Sequence, residues 1–306
     1  MRFLPVPVIA LVWLCFARPT HAQGLIDGFM RGDRKANLAL TYSQETYDSY
    51  YINKTETRDP NLGTVTTQAL NVYGSFGLGY DLDLIVSAPY IRSESSAGYR
   101  QKQEGFQDVS AALRWEAYDY KIGKARLSWL FALGYSMPLQ NYVNDDLIAI
   151  GRGSRNLDGR TMLHLKAGTF FLTGQYGYIR RGQVTLDRVV NYYEPGQVNP
   201  NTSAKINVPD VTELIVRTGI VTKPLYIDVW YQQQTPYKKY IEGTNIAPGI
   251  PFPSNAVGFS RVGATVYLKL VGQLGLTAGY GATIDGRNIG KSSRVTGGLV
   301  IGRIAR

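Results

Sequence analysis

His164 is the one histidine beyond residue 22. It stands between Leu163 and Leu165 with no serine beside it. A Ser–His hydrolase would need a serine brought from far along the chain. The plainer reading is a hydrogen-bonded wall residue. The only cysteine, Cys15, follows Leu14, where a lipoprotein site would place a small residue, so it reads as packing within a leader. With one histidine and no later cysteine, disulfides and thiolate or imidazole metal sites have no residues to form them. Asn144-Asp145-Asp146 has calcium-type oxygens, though loop acids of this kind are usually solvated. Gly74-Ser75-Phe76-Gly77-Leu78-Gly79 leads into a turn and another strand. It therefore lacks the helix N-terminus that phosphate loops exploit. We expect no catalytic activity and no cofactor.

A larger set of residues offers a different chemistry. Asp83, Asp108, Arg114, Glu116, Arg126, Lys166, Glu213, Arg217, Asp228, Arg261 and Lys269 all fall in one phase of a two-residue alternation. Six are basic and five acidic, so charges facing a common interior could pair into a fixed network or line a polar conduit. Asn71, Tyr73, Gln175, Tyr226, Trp230, Gln232 and Tyr267 share that phase. Aromatic rings with polar tips either line a path for a ring compound or fill a narrow barrel.

The elements that carry this alternation are strands. Six segments run through alternating apolar positions to a tyrosine, as in Leu82, Leu84, Val86, Ala88, Tyr90. The others end at Tyr42, Tyr135, Tyr178, Tyr231 and Tyr280. An apolar face that ends in tyrosine at one level suits a lipid-facing wall with its rings at the membrane interface. Six return segments lie between them, starting near Leu70, Val109, Leu163, Leu214, Val262 and Val295. The pattern predicts a transmembrane antiparallel up-and-down β-barrel of about twelve strands, each near the ~9–11 residues that a tilted strand needs. Short turns are predicted at 79–81, 118–123, 168–169, 222–224 and 271–272. Long polar loops are predicted at 46–65, 92–105, 139–160, 181–210, 235–257 and 282–293. Short periplasmic turns and long extracellular loops would leave both termini periplasmic.

The first 22 residues read as a cleavable signal peptide: Arg2, an apolar core over Val6–Phe16, then Thr20-His21-Ala22 before Gln23. Residues 23–35 form a short leader, either periplasmic or tucked into the lumen, and 36–306 form one barrel domain. Mean hydropathy is only −0.16, as expected when every second strand residue faces lipid and the loops are polar. The net charge of +10 becomes +8 once Arg2 and Arg18 are removed, leaving 31 basic against 23 acidic residues. The basic residues are scattered and never cluster beyond pairs such as Arg180-Arg181, which argues against nucleic acid. Outer-membrane lipid and lipopolysaccharide are the expected surface partners.

Several motifs resemble the outer-membrane barrels of the "MetA-pathway of phenol degradation" family. Ala88-Pro89-Tyr90 is similar to that family's strand end. Gly105 to Trp115 is similar to its Gly-x-Gly-Asp strand, with Gln107 where glycine is usual. Ser136-Met137-Pro138 resembles its Leu-Pro exit into a long loop, and Gly286-Arg287-Asn288 its Gly-Arg-Asn element before the last strand. The resemblance implies a Gram-negative outer-membrane barrel that takes up aromatic or other hydrophobic compounds, and it brings no catalytic or ligand residues. Such barrels usually end in an aromatic residue read by the barrel-assembly machinery, whereas this chain ends Arg303-Ile304-Ala305-Arg306. The expected function is passive passage of a small solute through a porin-like outer-membrane barrel. The alternative is a closed barrel with a structural or surface-binding role.

Overall fold

The computed structural model describes residues 27–98, 102–144, 146, 148–192, 201–237 and 255–302. The predicted signal peptide with Cys15, leader residues 23–26, Asp145 and the C-terminal Arg303–Arg306 lie outside the described residues. The strands are β1 Ala36–Tyr47, β2 Tyr50–Ile52, β3 Thr55–Thr57, β4 Val65–Gly79, β5 Leu82–Ser95 and β6 Lys102–Phe106. They continue as β7 Asp108–Ile122, β8 Ala125–Pro138, β9 Asn156–Ala167, β10 Phe170–Arg181, β11 Gln183–Tyr192 and β12 Asn201–Asn207. The last five are β13 Val211–Val221, β14 Leu225–Pro236, β15 Gly258–Lys269, β16 Leu274–Arg287 and β17 Ser293–Gly302.

Each wall strand pairs antiparallel with its sequence neighbour, and β1 pairs with both β4 and β17. The sheet therefore closes into a twelve-stranded barrel, and closure removes the row of unpaired backbone groups that an open edge would present. β6 is a short extension on β5 that precedes β7, separated from it by Gln107. β2–β3 and β11–β12 are small hairpins within two of the long connections. The two-residue turn Tyr80-Asp81 has φ of 53° and 55°. These positive values match the twist of a tight hairpin.

Several connections are shorter than the sequence pattern suggests. β7 runs through Tyr118 and Tyr120 to Ile122, so the predicted turn at 118–123 is mostly strand. β5 continues to Ser95 and β16 to Arg287, past the predicted starts of the loops at 92 and 282. In β5 and β16 polar residues such as Arg92 and Asp285 end the apolar alternation before the backbone ladder ends, and in β7 a bulge between Glu116 and Tyr118 shifts the phase of the outward Tyr118, Tyr120 and Ile122. Hydrogen bonding to a neighbour carries a strand beyond its apolar face.

The outward face is apolar. Leu40, Val72, Leu113, Leu133, Leu163, Leu172, Val229, Leu276 and Leu299 are all exposed around the wall. Tyr42, Tyr90, Tyr135, Tyr178 and Tyr280 are exposed nearer the loop end, and Tyr231 is half-buried. Tyr80, Tyr118, Tyr120 and Phe170 are exposed at the short-turn end. Among the described residues no helix is long and apolar enough to cross a membrane, which says nothing of strands.

Candidate functional site

The interior is built from inward side chains and from one segment that is not a strand. Residues Asp27–Lys35 enter the barrel at the short-turn end. Their backbone is fixed to the wall by hydrogen bonds from Arg34 N–H to the Gly77 carbonyl and from Gly77 N–H to the Lys35 carbonyl. The approach is so close that a Cβ on Gly77 would lie 1.9 Å from the Gly32 carbonyl oxygen, and one on Gly28 would lie 2.7 Å from His164 Nδ1. Only glycine leaves room for the segment at these two places. Residues 27–31 of the leader, open to either location in the sequence, occupy the bore.

Two groups of contacts hold this plug. Arg114, fully buried, donates from Nη2 to Asp83 Oδ2 at 2.5 Å and to the Phe29 carbonyl at 2.6 Å. Its Nη1 reaches Asp27 Oδ1 at 2.6 Å. Arg31 Nη2 pairs with Asp27 at 2.6 Å, Arg31 Nε donates to Ser75 at 2.6 Å, and Arg31 N–H donates to Asp83 at 3.0 Å. Charges this deep persist only when paired, and here two acids and two guanidiniums interlock. Beside them, Phe29 packs edge-on against His164, Phe171 and Tyr226, with centroids 4.6, 5.0 and 5.9 Å away. His164 shares a 2.7 Å hydrogen bond with Thr173, so its polar atom serves packing here.

Burial alone would raise the pKa of Asp27, but the neighbouring Arg31 and Arg114 guanidiniums outweigh it and hold the carboxyl well below the usual carboxylate range. A depressed folded pKa gives stability that is complete above the unfolded value and fades only as pH falls through the folded one. Asp27 therefore keeps its charge, and its pairs with Arg31 and Arg114, throughout the neutral range. Between about pH 8 and about pH 7 neither Asp27 nor the His164 imidazole packed on Phe29 changes charge whether the plug is docked or free, so hydrogen exchange of residues 27–33 should be unchanged there once corrected for intrinsic rates. A rise in exchange between those two values would contradict the assignment.

Three further ion-pair groups stand in the interior. Arg217 meets Asp228 at 3.0 Å, and Tyr226 donates to the same carboxylate at 2.9 Å. Arg160 bridges Asp158, at 2.7 Å, and Glu213, which also accepts from Gln232 at 2.6 Å. Glu45 joins Arg261, at 3.1 Å, to Arg294 across β1, β17 and β15.

Of the residues singled out by alternation, Asp83, Arg114, Glu213, Arg217, Asp228, Trp230 and Tyr267 are buried. Asp108, Glu116, Lys166 and Arg261 are half-buried. Arg126 and Lys269 are exposed instead. Arg126 pairs with Asp119 beside the β7–β8 turn, and Lys269 is the last residue of β15. Both share the inward phase but stand at strand ends, where no enclosed interior remains. Alternation missed Asp158 and Arg160, which carry the same phase at a strand end assigned to a loop, and Glu45 and Arg294, which carry it just beside two of the predicted loops. It also missed the plug. The signal there was a Phe29-Met30 pair flanked by Asp27, Arg31 and Asp33, too short and irregular for a strand.

No protein-family model and no curated protein sequence matches this chain. The barrel does resemble solved structures. An outer-membrane channel from Pseudomonas putida F1 superposes with a TM-score of 0.65 at 16% identity, covering 91% of this chain and all of that one. The NanC porin aligns with a TM-score of 0.49 at 6% identity, covering 86% and 98%. The translocator domain of the autotransporter NalP from Neisseria meningitidis aligns with a TM-score of 0.48 at 11% identity, covering 90% and 91%. At these identities the likeness is one of fold.

Proposed function

We propose that this chain is a plugged outer-membrane channel for passive passage of small solutes. The observation that carries the reading is its inside-out pattern: a closed cylinder with an apolar outer belt and a polar, ion-paired interior. Exposed apolar surface on this scale is at home in hydrocarbon, and a polar interior is what a solute path requires. The resemblance to the phenol-degradation family extends the proposal to aromatic or other hydrophobic solutes. The purified full-length chain in planar bilayers should give reproducible conductance steps. A second reading, a closed scaffold, is favoured by the docked plug and the dense ion pairing, and electrical silence together with exclusion of neutral solutes from liposomes would support it.

The proposed orientation puts the long connections outside the cell and both termini in the periplasm. Asn61 is exposed in the β3–β4 connection, and Lys223 in the β13–β14 turn. Asn61→Cys should label with an impermeant thiol reagent on intact cells. Lys223→Cys should label only after the outer membrane is opened. Labelling of the Lys223 site on intact cells would invert the topology.

A further inference from the structure

The interior is not filled evenly around its circumference. On β10, β13, β14 and β15 the inward residues are packed to the point of burial: Gln175, Ile215, Arg217, Asp228, Trp230 and Thr265 are each at most 4% exposed. On β1, β4 and β5 the inward Thr41, Asn71 and Ser87 are smaller and keep partial accessibility, as do Ser110 and Ser136 nearer the loop ends of β7 and β8, whose inward Ala112, Leu130 and Ala132 are buried. Thr41, Asn71, Ser87, Ser110 and Ser136 form a band along this side of the wall. Thr41 sits opposite Asn71, Ser87 opposite Ser110, and Ser110 opposite Ser136. Ser87 Oγ donates to Asn71 Oδ1 at 2.8 Å, which joins the two halves of the band. Every member is uncharged and carries a hydroxyl or amide.

We infer that the solute path runs off-centre along this band and admits uncharged, hydrogen-bonding small molecules in preference to ions. The inference rests on the channel reading and deepens it. The interior charges near the packed half are spent on one another, as in Arg217–Asp228 and Arg160–Glu213, so they offer an ion no free counter-charge. An ion entering the band would exchange its hydration for hydroxyl and amide dipoles, a poor trade in a narrow space, and the Asp108 carboxylate two residues from Ser110 is taken up by the Tyr142 hydroxyl. A neutral solute exchanges hydrogen bonds with water for hydrogen bonds with serine, threonine and asparagine at little net loss. The path is closed in this state. Below it, Met30 of the plug and Tyr73 pack against the Ile85–Leu130–Met162 cluster. Above it, Tyr50, Leu62, Val65 and Ile148 pack together at the loop end of β1 and β4. Passage therefore requires the plug and the loop cluster to give way.

The test uses the full-length chain and a plug-loosened Asp27→Ala/Arg31→Ala variant, both in liposomes. Swelling rates are compared for arabinose and for gluconate at matched osmolarity. Arabinose is expected to enter faster by about tenfold or more, the factor that corresponds to ~1.4 kcal/mol. Asn71→Asp should then shift the reversal potential toward cation preference while leaving the heat-modifiable gel shift of the folded barrel intact. Equal entry of the two solutes, or an Asn71→Asp channel with unchanged selectivity, overturns the neutral path while leaving a channel in place. No entry of either solute through either protein overturns the channel reading itself.

Discussion

Arg114→Ala is expected to cost about 3–5 kcal/mol, because it leaves Asp83 and part of the Asp27 network buried without a cationic partner. Arg114 touches the wall through Asp83 and the plug through Asp27 and the Phe29 carbonyl, so both should suffer. The expected readouts are a lower unfolding temperature in detergent and loss of hydrogen-exchange protection over residues 27–33. The companion Asp83→Asn/Arg114→Gln double variant removes the charges but keeps hydrogen-bonding groups, and it should recover much of the wall's stability. If Arg114→Ala changes neither thermal stability nor exchange in the plug, the two do not depend on this guanidinium.

The second large effect concerns the wall. Val86 lies on the outward face, where its side chain covers Gly74 on the next strand. Ser87, one residue on, faces inward. Val86→Arg should cost ~2–4 kcal/mol if this level lies in hydrocarbon, and it should impair assembly in the outer membrane. Ser87→Arg should assemble normally, because it adds a cation to the polar interior. Since successive side chains alternate faces, a one-residue register error would exchange the two outcomes. Heat-modifiable migration on gels reports assembly for both. Equal behaviour of the two variants would contradict the lipid-facing assignment.

How much of this was legible in the sequence follows from where the signals lie. The strands and the barrel were readable because lipid on one face and polar interior on the other impose a period of two on runs such as Leu82–Tyr90. Strand ends were less readable. Asp158 and Arg160 continue the inward phase, but they look like loop because the outward positions between them and beyond include Gly159. The twelve-strand count survived these errors, because hairpin pairing fixes the number of strands even where their ends are misplaced. The plug was legible least. Its position depends on Asp83, Arg114, His164 and Tyr226, none of which is near it in the chain, and no local pattern encodes such a rendezvous.

That separation has a consequence in time. Residues 27–33 leave the ribosome before any strand, yet Phe29 finishes against Phe171, Tyr226 and Tyr267, with Val300 of the final strand packed on the same cluster. A segment made before every wall strand thus completes its contacts only when strands from both halves of the sequence, β5 and β7 as well as β10 and β14, stand around it, so a seated plug reports on the assembly of the whole cylinder.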